Sequence, residues 1–426
     1  MEEKIPLRYQ DSQIEVKVPR NNFLYAIKPE DVPILKDEKK SIRESLQNPI
    51  NCAPLSEQVK KGMKVVIIGD DITRPTPRER IFPILLDELN RAGVPDKDIT
   101  VIISLGTHRY MSDEEILKCY GKEVVQRVLV MNHEWKDEGK LVKVGSTPGG
   151  IPVSVNKIAY EADYLMAVGS VVPHCLAGYG GGGKAVQPGI CSWETTGKTH
   201  LLPMEKDKFL KLAGDTDNEV RIEMEKVAEV VGLNFICNVV LNEKKEIVHI
   251  TSGDQVKAHR EAVKVAKKVY ERKIPALADI VIVSAYPADI DYWQGAKPLS
   301  YSQQGLKKRG TTIFLAHLPD GISPTHCELG EHALKSYKEL KKLIKENRLE
   351  DLVCASTLLQ HAKIMEHSSQ VICISEGLSL EDKQKLGFKH AETVEEALDM
   401  AFKKQGKDAK VGTIDYGGDV LPILES

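Results

Sequence analysis

Short runs of aliphatic and β-branched residues alternate with amphipathic stretches along most of the chain. MKVVIIGDD (63–71), ITVIISLGTHR (99–109) and ADYLMAVGSVVPH (162–174) each predict an apolar strand running into a polar loop. RERIFPILLDELNRAG predicts a helix closed by Gly93, and SDEEILKCYG a helix opened by Ser112 and Glu115 in capping-box spacing. EMEKVAEVVGL repeats the helical period. NFICNVVL and EIVHITS predict a hairpin across the polar turn NEKKE, and KAHREAVKVAKKVYERK a strongly amphipathic helix. After Pro275 the pattern restarts: ADIVIVSAYP, TTIFLAHLPDG, QVICISEG and KVGTIDY predict strands with helices between them. Strands alternating with helices imply largely parallel sheets covered on both faces. The expected fold is therefore α/β, with two Rossmann-like domains and a cleft between them. The expected division is 1–272, 273–409 and a tail, 410–426, returning to the first domain.

Composition narrows the class. At 426 residues the chain is too long for one ordinary core. It is 42% hydrophobic and 28% charged, as soluble enzymes are, and its net charge of -3 gives no footprint for nucleic acid or an anionic membrane. The opening MEEKIPLRYQDSQIEVKVPR is polar and alternating, with no apolar signal core, and no run approaches a membrane span. The eight cysteines include no C-x-x-C pair, which fits reduced thiols in a cytoplasmic protein. Cys175 and Cys191 read as small buried residues.

Polar motifs sit where strands end: DDITRPTP, GTHR and VVPH in the first half, SAYPADIDYWQGAKP in the second. Open α/β sheets place their sites outside the carboxyl ends of the strands. A cleft lined by Asp, Arg, His, Gln and Lys is therefore expected.

GYGGGGKA (178–185) has both phosphate-loop spacing, G-x-x-x-x-G-K, and dinucleotide spacing, G-x-G-x-x-G. Both readings require a helix to open at this point. The chain continues AVQPGI, whose Pro188 and Gly189 stop one, and Ala185 replaces the Ser or Thr that would hold magnesium. A mobile surface loop is the plain alternative. The glycines instead suit close backbone approach to a flat ligand, with Lys184 directed at it. A lysine deprotonated by burial is able to bond covalently to a cofactor.

DDITRPTP (70–77), LGTHR (105–109), the run from Pro173 to His200 and DYWQGAKP (291–298) together resemble the nickel-dependent lactate racemase family. The resemblance spans roughly residues 60–300, and the spacing of His174, Lys184 and His200 is its specific part. It implies a pyridinium-3-thioamide-5-thiocarboxylic acid mononucleotide that holds nickel as a pincer. Lys184 is then the covalent tether and His200 the protein ligand to nickel. Two sulfurs, a ring carbon and an imidazole nitrogen make a planar donor set that nickel(II) accepts. Thr73, Arg74 and Thr76 are candidate donors to the nucleotide phosphate, and Asp71 is read with them or as the residue orienting Arg74 or a histidine.

The implied reaction is isomerisation of lactate through transient pyruvate, with the Cα hydrogen leaving and returning as hydride. Loss as a proton would place a second negative charge beside the carboxylate. A base is needed on each side for the hydroxyl proton, and His108 and His174 resemble that pair. Gln294, Lys297 and Arg74 are candidates for the substrate carboxylate. Tyr292 and Trp293 either wall the pocket or belong to the core. The remaining histidines read as structural, with a peripheral place left open for His317 and His326. Separate maturation proteins are implied, because this chain does not make the cofactor. Three alternatives stand beside this reading: a racemase or epimerase of another 2-hydroxy acid, a zinc lyase or hydrolase using His108, His174 and His200, and a non-catalytic binder of an anionic ligand.

Overall fold

The computed structural model describes residues 1–10 and 12–425. Two six-stranded sheets carry the chain. The first runs in the order Ile247–Gly253, Phe235–Leu241, Tyr164–Ser170, Val65–Asp70, Ile99–Ser104, Leu129–Asn132. All neighbours are parallel except the Phe235–Leu241/Ile247–Gly253 hairpin. The second is wholly parallel: Lys389–His390, Gln370–Ile374, Leu306–Leu315, Ala278–Ser284, Val411–Ile414, Phe23–Ile27. The α/β class with largely parallel sheets is as the alternating pattern predicts.

The helices follow their local signals. Arg78–Arg91 ends before Gly93, which has φ +96°. Asp113–Arg127 opens on the Ser112/Glu115 capping box and continues past Gly121, where φ of 80° breaks the regular turn. The helix Lys257–Tyr270 buries Ala258, Ala262, Val263, Ala266 and Val269 along one face.

Sheet membership differs from the expected division at both ends. Phe23–Ile27 pairs with Val411–Ile414 in the second sheet, and Val411–Ile414 lies inside that sheet, directly beside Ala278–Ser284. The opening segment is an antiparallel hairpin, Glu2–Tyr9 with Ser12–Pro19. Its Leu7, Tyr9, Val16 and Val18 pack on Ile280, Ile282, Ile313 and Ile372 of the second sheet. Alternation buries one face of this hairpin at about 1.5–3 kcal/mol per large apolar side chain, and that gain holds the amino terminus on the second sheet. The last strand, Leu421–Leu424, pairs with Glu271–Ile274 at the crossing between the two halves.

In the first sheet, chain order reverses between Val65–Asp70 and Tyr164–Ser170, and the crevice at such a reversal is where these sheets bind ligands. All eight cysteines are free thiols, with Cys175 and Cys191 buried. Among the described residues no helix is long and apolar enough to cross a membrane.

Candidate active site

The carboxyl ends of three strands of the first sheet and the middle of a fourth open into a cavity covered by the second domain. It encloses about 1010 Å3, part of it open to solvent. Asp70 and Asp71 come from one strand end, Ser104 to His108 from the next, Gly169 and Ser170 from the third, and Asn238 from the middle of the fourth strand. Trp293, Gln294, Lys297 and Gln360 descend from the second domain. His174, Lys184 and His200 line the same cavity.

The glycine run is buried and ordered. Pro173–His174 and Gly178–Tyr179 pair as a two-residue ladder, and Gly182–Ala185 forms one 3-10 turn with no α-helix after it. Gly178 has φ +72°, and a Cβ there would lie 2.0 Å from the Asp215 carbonyl oxygen, so only glycine fits. Arg221, fully buried, braces the turn from behind. Its guanidinium donates to the carbonyls of Ala177 (3.2 Å), Tyr179 (2.7 Å) and Gly181 (3.1 Å). Sequence reading passed over Arg221. Its signal was a charged residue on the buried stripe of the helix Glu219–Val231, beside Val220 and Met224.

Among the described residues, no hydrogen bond or ion pair engages the Lys184 amine. Burial, then the charges of Arg74 and Lys297, push its pKa well below that of an ordinary lysine, with Asp70 opposing. That environment favours loss of the proton, which would leave the unengaged amine a nucleophile. His200 closes the helix Trp193–His200, capped by Ser192. Its Nδ1 donates to the Thr196 carbonyl at 2.8 Å, which leaves the lone pair on Nε2. Burial lowers its pKa to about 4, so the ring is neutral and able to ligate a metal.

His108 and Asp71 form a buried pair. Nδ1 of His108 lies 2.7 Å from Asp71 Oδ2. Burial alone would raise the Asp71 pKa, but His108, Arg74 and Thr73 hold it well below the usual carboxylate range. The ionised carboxylate therefore fixes the hydrogen on Nδ1 and the lone pair on Nε2. Lys297 donates to Oε1 of Gln294, which orients the amide so that its Nε2 donates to His108 Nε2 at 3.0 Å. Burial, then Arg74, brings Lys297 down to about 7. His174 has the opposite tautomer. Its Nδ1 accepts from the amides of Leu176 and Ala177, both at 3.2 Å, so a neutral ring carries its hydrogen on Nε2. Burial, Lys184, Lys297 and Arg74 all oppose a positive charge there.

Two candidate phosphate donors already hold protein partners. The Thr73 hydroxyl donates to Asp71 at 2.6 Å, and that of Thr76, buried outside the cavity, to Asp70 at 2.6 Å. Each hydroxyl would have to leave its carboxylate to donate to a ligand, a cost that is larger for the buried Asp71 than for the partly exposed Asp70. Asp71 likewise spends its oxygens on His108 and Thr73. Arg74 remains in the cavity, with NH1 donating to the Thr73 carbonyl at 3.0 Å. Tyr292 is core: its hydroxyl lies 2.6 Å from His361 Nδ1. His133 and His361 are buried structural histidines, as read.

The site fits the implied cofactor on three counts. The Ser170 and Thr196 hydroxyl oxygens line the cavity, buried, and no protein group hydrogen-bonds them. Such positions call for polar atoms of a bound group. Among the described residues no three His, Cys, Asp or Glu side chains gather to hold a metal. His200 therefore offers a single imidazole, and a metal held there would need its remaining donors from outside that set of side chains, which is compatible with a pincer group. The third count is the unengaged Lys184 amine.

Family models describe the two halves: the lactate racemase N-terminal domain matches residues 9–210, and the lactate racemase C-terminal domain residues 271–421. A lactate racemase of Lactiplantibacillus plantarum is 31% identical over 388 residues, covering 90% of this chain and 91% of that one. One from Thermoanaerobacterium thermosaccharolyticum is 26% identical, covering 98% of each. The structure of the lactate racemase apoprotein from that second organism superposes over the full length of both chains with a TM-score of 0.88. A Thermotoga maritima protein, 22% identical with a TM-score of 0.72, shares the fold over 91% of this chain.

Proposed function

The chain belongs to the lactate racemase family, and from that membership we propose that it interconverts L- and D-lactate through transient pyruvate. The proposal extends to a nickel-pincer nucleotide tethered to Lys184 with His200 on the metal. Held by Lys184 and His200, that group would supply a hydride acceptor for the substrate's Cα hydrogen. The observation that carries the reading is one cavity uniting a buried lysine amine that no group among the described residues engages, an imidazole whose Nδ1 is held by a carbonyl, and two histidines whose Nδ1 atoms face a carboxylate in one and backbone amides in the other.

The chain's own groups handle the proton and the carboxylate. Lys297 and Gln294, with Arg74 across the cavity, supply donors for the substrate carboxylate. His108 takes the hydroxyl proton on Nε2 as hydride leaves Cα, which yields a neutral carbonyl, and Asp71 steadies the imidazolium. His174 stands on the other side and presents Nε2–H to the substrate oxygen. The resting tautomers suit the enantiomer whose hydroxyl lies against His108. For the other enantiomer His174 must accept, which turns its Nδ1 into a donor and breaks its contacts with the Leu176 and Ala177 amides. The second domain covers the cavity and keeps water from the hydride in transit.

The zinc alternative lacks a three-residue ligand cluster among the described residues. The test is a peptide mass map around Lys184 with metal analysis, on protein produced alongside cofactor-maturation enzymes. The expected result is a sulfur-containing nucleotide adduct on Lys184, nickel, and lactate racemisation. Zinc without an adduct, or a holoprotein that racemises another 2-hydroxy acid but not lactate, overturns the reading.

A further inference from the structure

All three tryptophans of the chain lie in one aromatic stack that crosses between the domains. Trp135 and Trp193, from the first domain, stack with ring centres 5.1 Å apart. Trp193 meets His326 of the second domain at 5.4 Å, and His326 lies flat on Trp293 at 3.8 Å with an interplanar angle of 15°. His326 is also the polar joint. Its Nδ1 is 2.7 Å from Asp351 Oδ2 within its own domain, and its Nε2 is 3.3 Å from the Thr107 hydroxyl across the interface. With the hydrogen on Nδ1 toward the carboxylate, Nε2 accepts from Thr107.

Each contact ends on a group of the active site. Thr107 precedes His108, and Trp293 precedes Gln294, whose amide donates to His108. The Trp135 indole nitrogen donates to the His108 carbonyl at 3.0 Å. Trp193 opens the helix that ends at His200. The Gln294–His108 contact spans the cleft, so its length depends on how the two domains seat.

We infer that His326 is a positioning residue for the racemase reaction: through Thr107 and Trp293 it sets the register of His108 against Gln294 across the cleft. This rests on the proposed role of His108. A buried His–Asp pair with no face on the cavity has no direct chemistry to do. Its two hydrogen bonds fix the ring's plane and direction, and the ring fixes the two domains relative to each other.

Two substitutions separate hydrogen bonding from filling. His326→Phe keeps a flat ring between the tryptophans and loses both hydrogen bonds. His326→Gln loses the ring and keeps an acceptor for Thr107 and a donor for Asp351. On holoenzyme of equal Lys184 adduct content, His326→Phe is expected to lower kcat about 10- to 100-fold with KM little changed, and His326→Gln to recover most of that loss. A Phe variant as active as the parent, or more active than the Gln variant, overturns the inference and leaves a packing role.

A readout without turnover keeps the test independent of the proposed activity. Tryptophan emission reports only this stack, so acrylamide quenching of the apoprotein should rise in His326→Phe and return toward the parent in His326→Gln. If the parent racemises nothing, the proposed function fails by itself, and unchanged quenching in the Phe variant refutes the joint.

Discussion

His108 and His326 are built alike at one end and differently at the other. Each sets Nδ1 2.7 Å from a buried aspartate oxygen, Asp71 for one and Asp351 for the other. His108 keeps Nε2 at the cavity wall, touched only by an amide that approaches from the facing domain. His326 has its Nε2 on Thr107 and both ring faces against tryptophans. The aspartate fixes a tautomer in both places. What separates a base from a joint is where the second nitrogen points and whether a ligand is able to reach it.

The sharpest break between the pairs is expected from removing the bases themselves. His108→Gln should lower kcat/KM for lactate by roughly 10³-fold or more, measured by polarimetry on protein with its full Lys184 adduct. The loss must be equal for L- and D-lactate, because enantiomers have equal free energy. Asp71→Asn should cost about 10²- to 10⁴-fold by releasing the tautomer, whereas Asp351→Asn should cost about tenfold and lower the melting temperature. Equal losses from the two asparagine substitutions would erase the distinction drawn here.

Smaller effects come from the group that bridges the pairs' neighbourhoods. Burial brings Lys297 down to about 7, and in its proposed role it would supply charge to the substrate carboxylate only when protonated. KM should therefore rise as pH passes above about 7. Lys297→Met should raise KM roughly 10- to 100-fold, the worth of a charged hydrogen bond, and remove that pH dependence.

The smallest effect concerns histidines with no carboxylate at all. Burial lowers His133 and His361 to about 4 from 6.5. The unfolded chain takes up protons on them between pH 6.5 and 4 while the folded chain does not. Stability should be full above that window and fall as pH drops through it, by on the order of 3 kcal/mol per group at most. Urea unfolding at pH 7 and pH 5 measures it, and His361→Asn should flatten part of the slope.

Much of this was legible in the chain, and the residues show why. Strand runs such as VVIIG are apolar throughout because both faces are covered, and Gly93 and the Ser112 cap marked helix ends through local backbone chemistry. Lys184, His108 and His174 stood at strand ends or in the glycine run, where pattern and site coincide, and His200 stood out only by its spacing from His174 and Lys184. The opening hairpin was read only as polar and alternating, because nothing local says which sheet it covers. The bonds of Thr73 and Thr76 were hidden for a related reason: the carboxylates of Asp70 and Asp71 are brought to those hydroxyls by a loop geometry that spacing does not encode. His326 and Arg221 act through partners far away in sequence, Thr107 and the carbonyls of 177–181.

The strand Phe23–Ile27 lies at an edge of the second sheet, and its neighbour there is Val411–Ile414, close to the other terminus. A ribosome releases the first of these long before the second exists. At about 5–20 residues per second, the wait is roughly 20–80 s. Through that time the strand and the apolar face of the hairpin before it have no sheet to join, while the first domain is already complete enough to collapse. The nascent chain therefore carries its aggregation hazard at its leading end. The seam between the halves closes only once Leu421–Leu424 has emerged to pair with Glu271–Ile274.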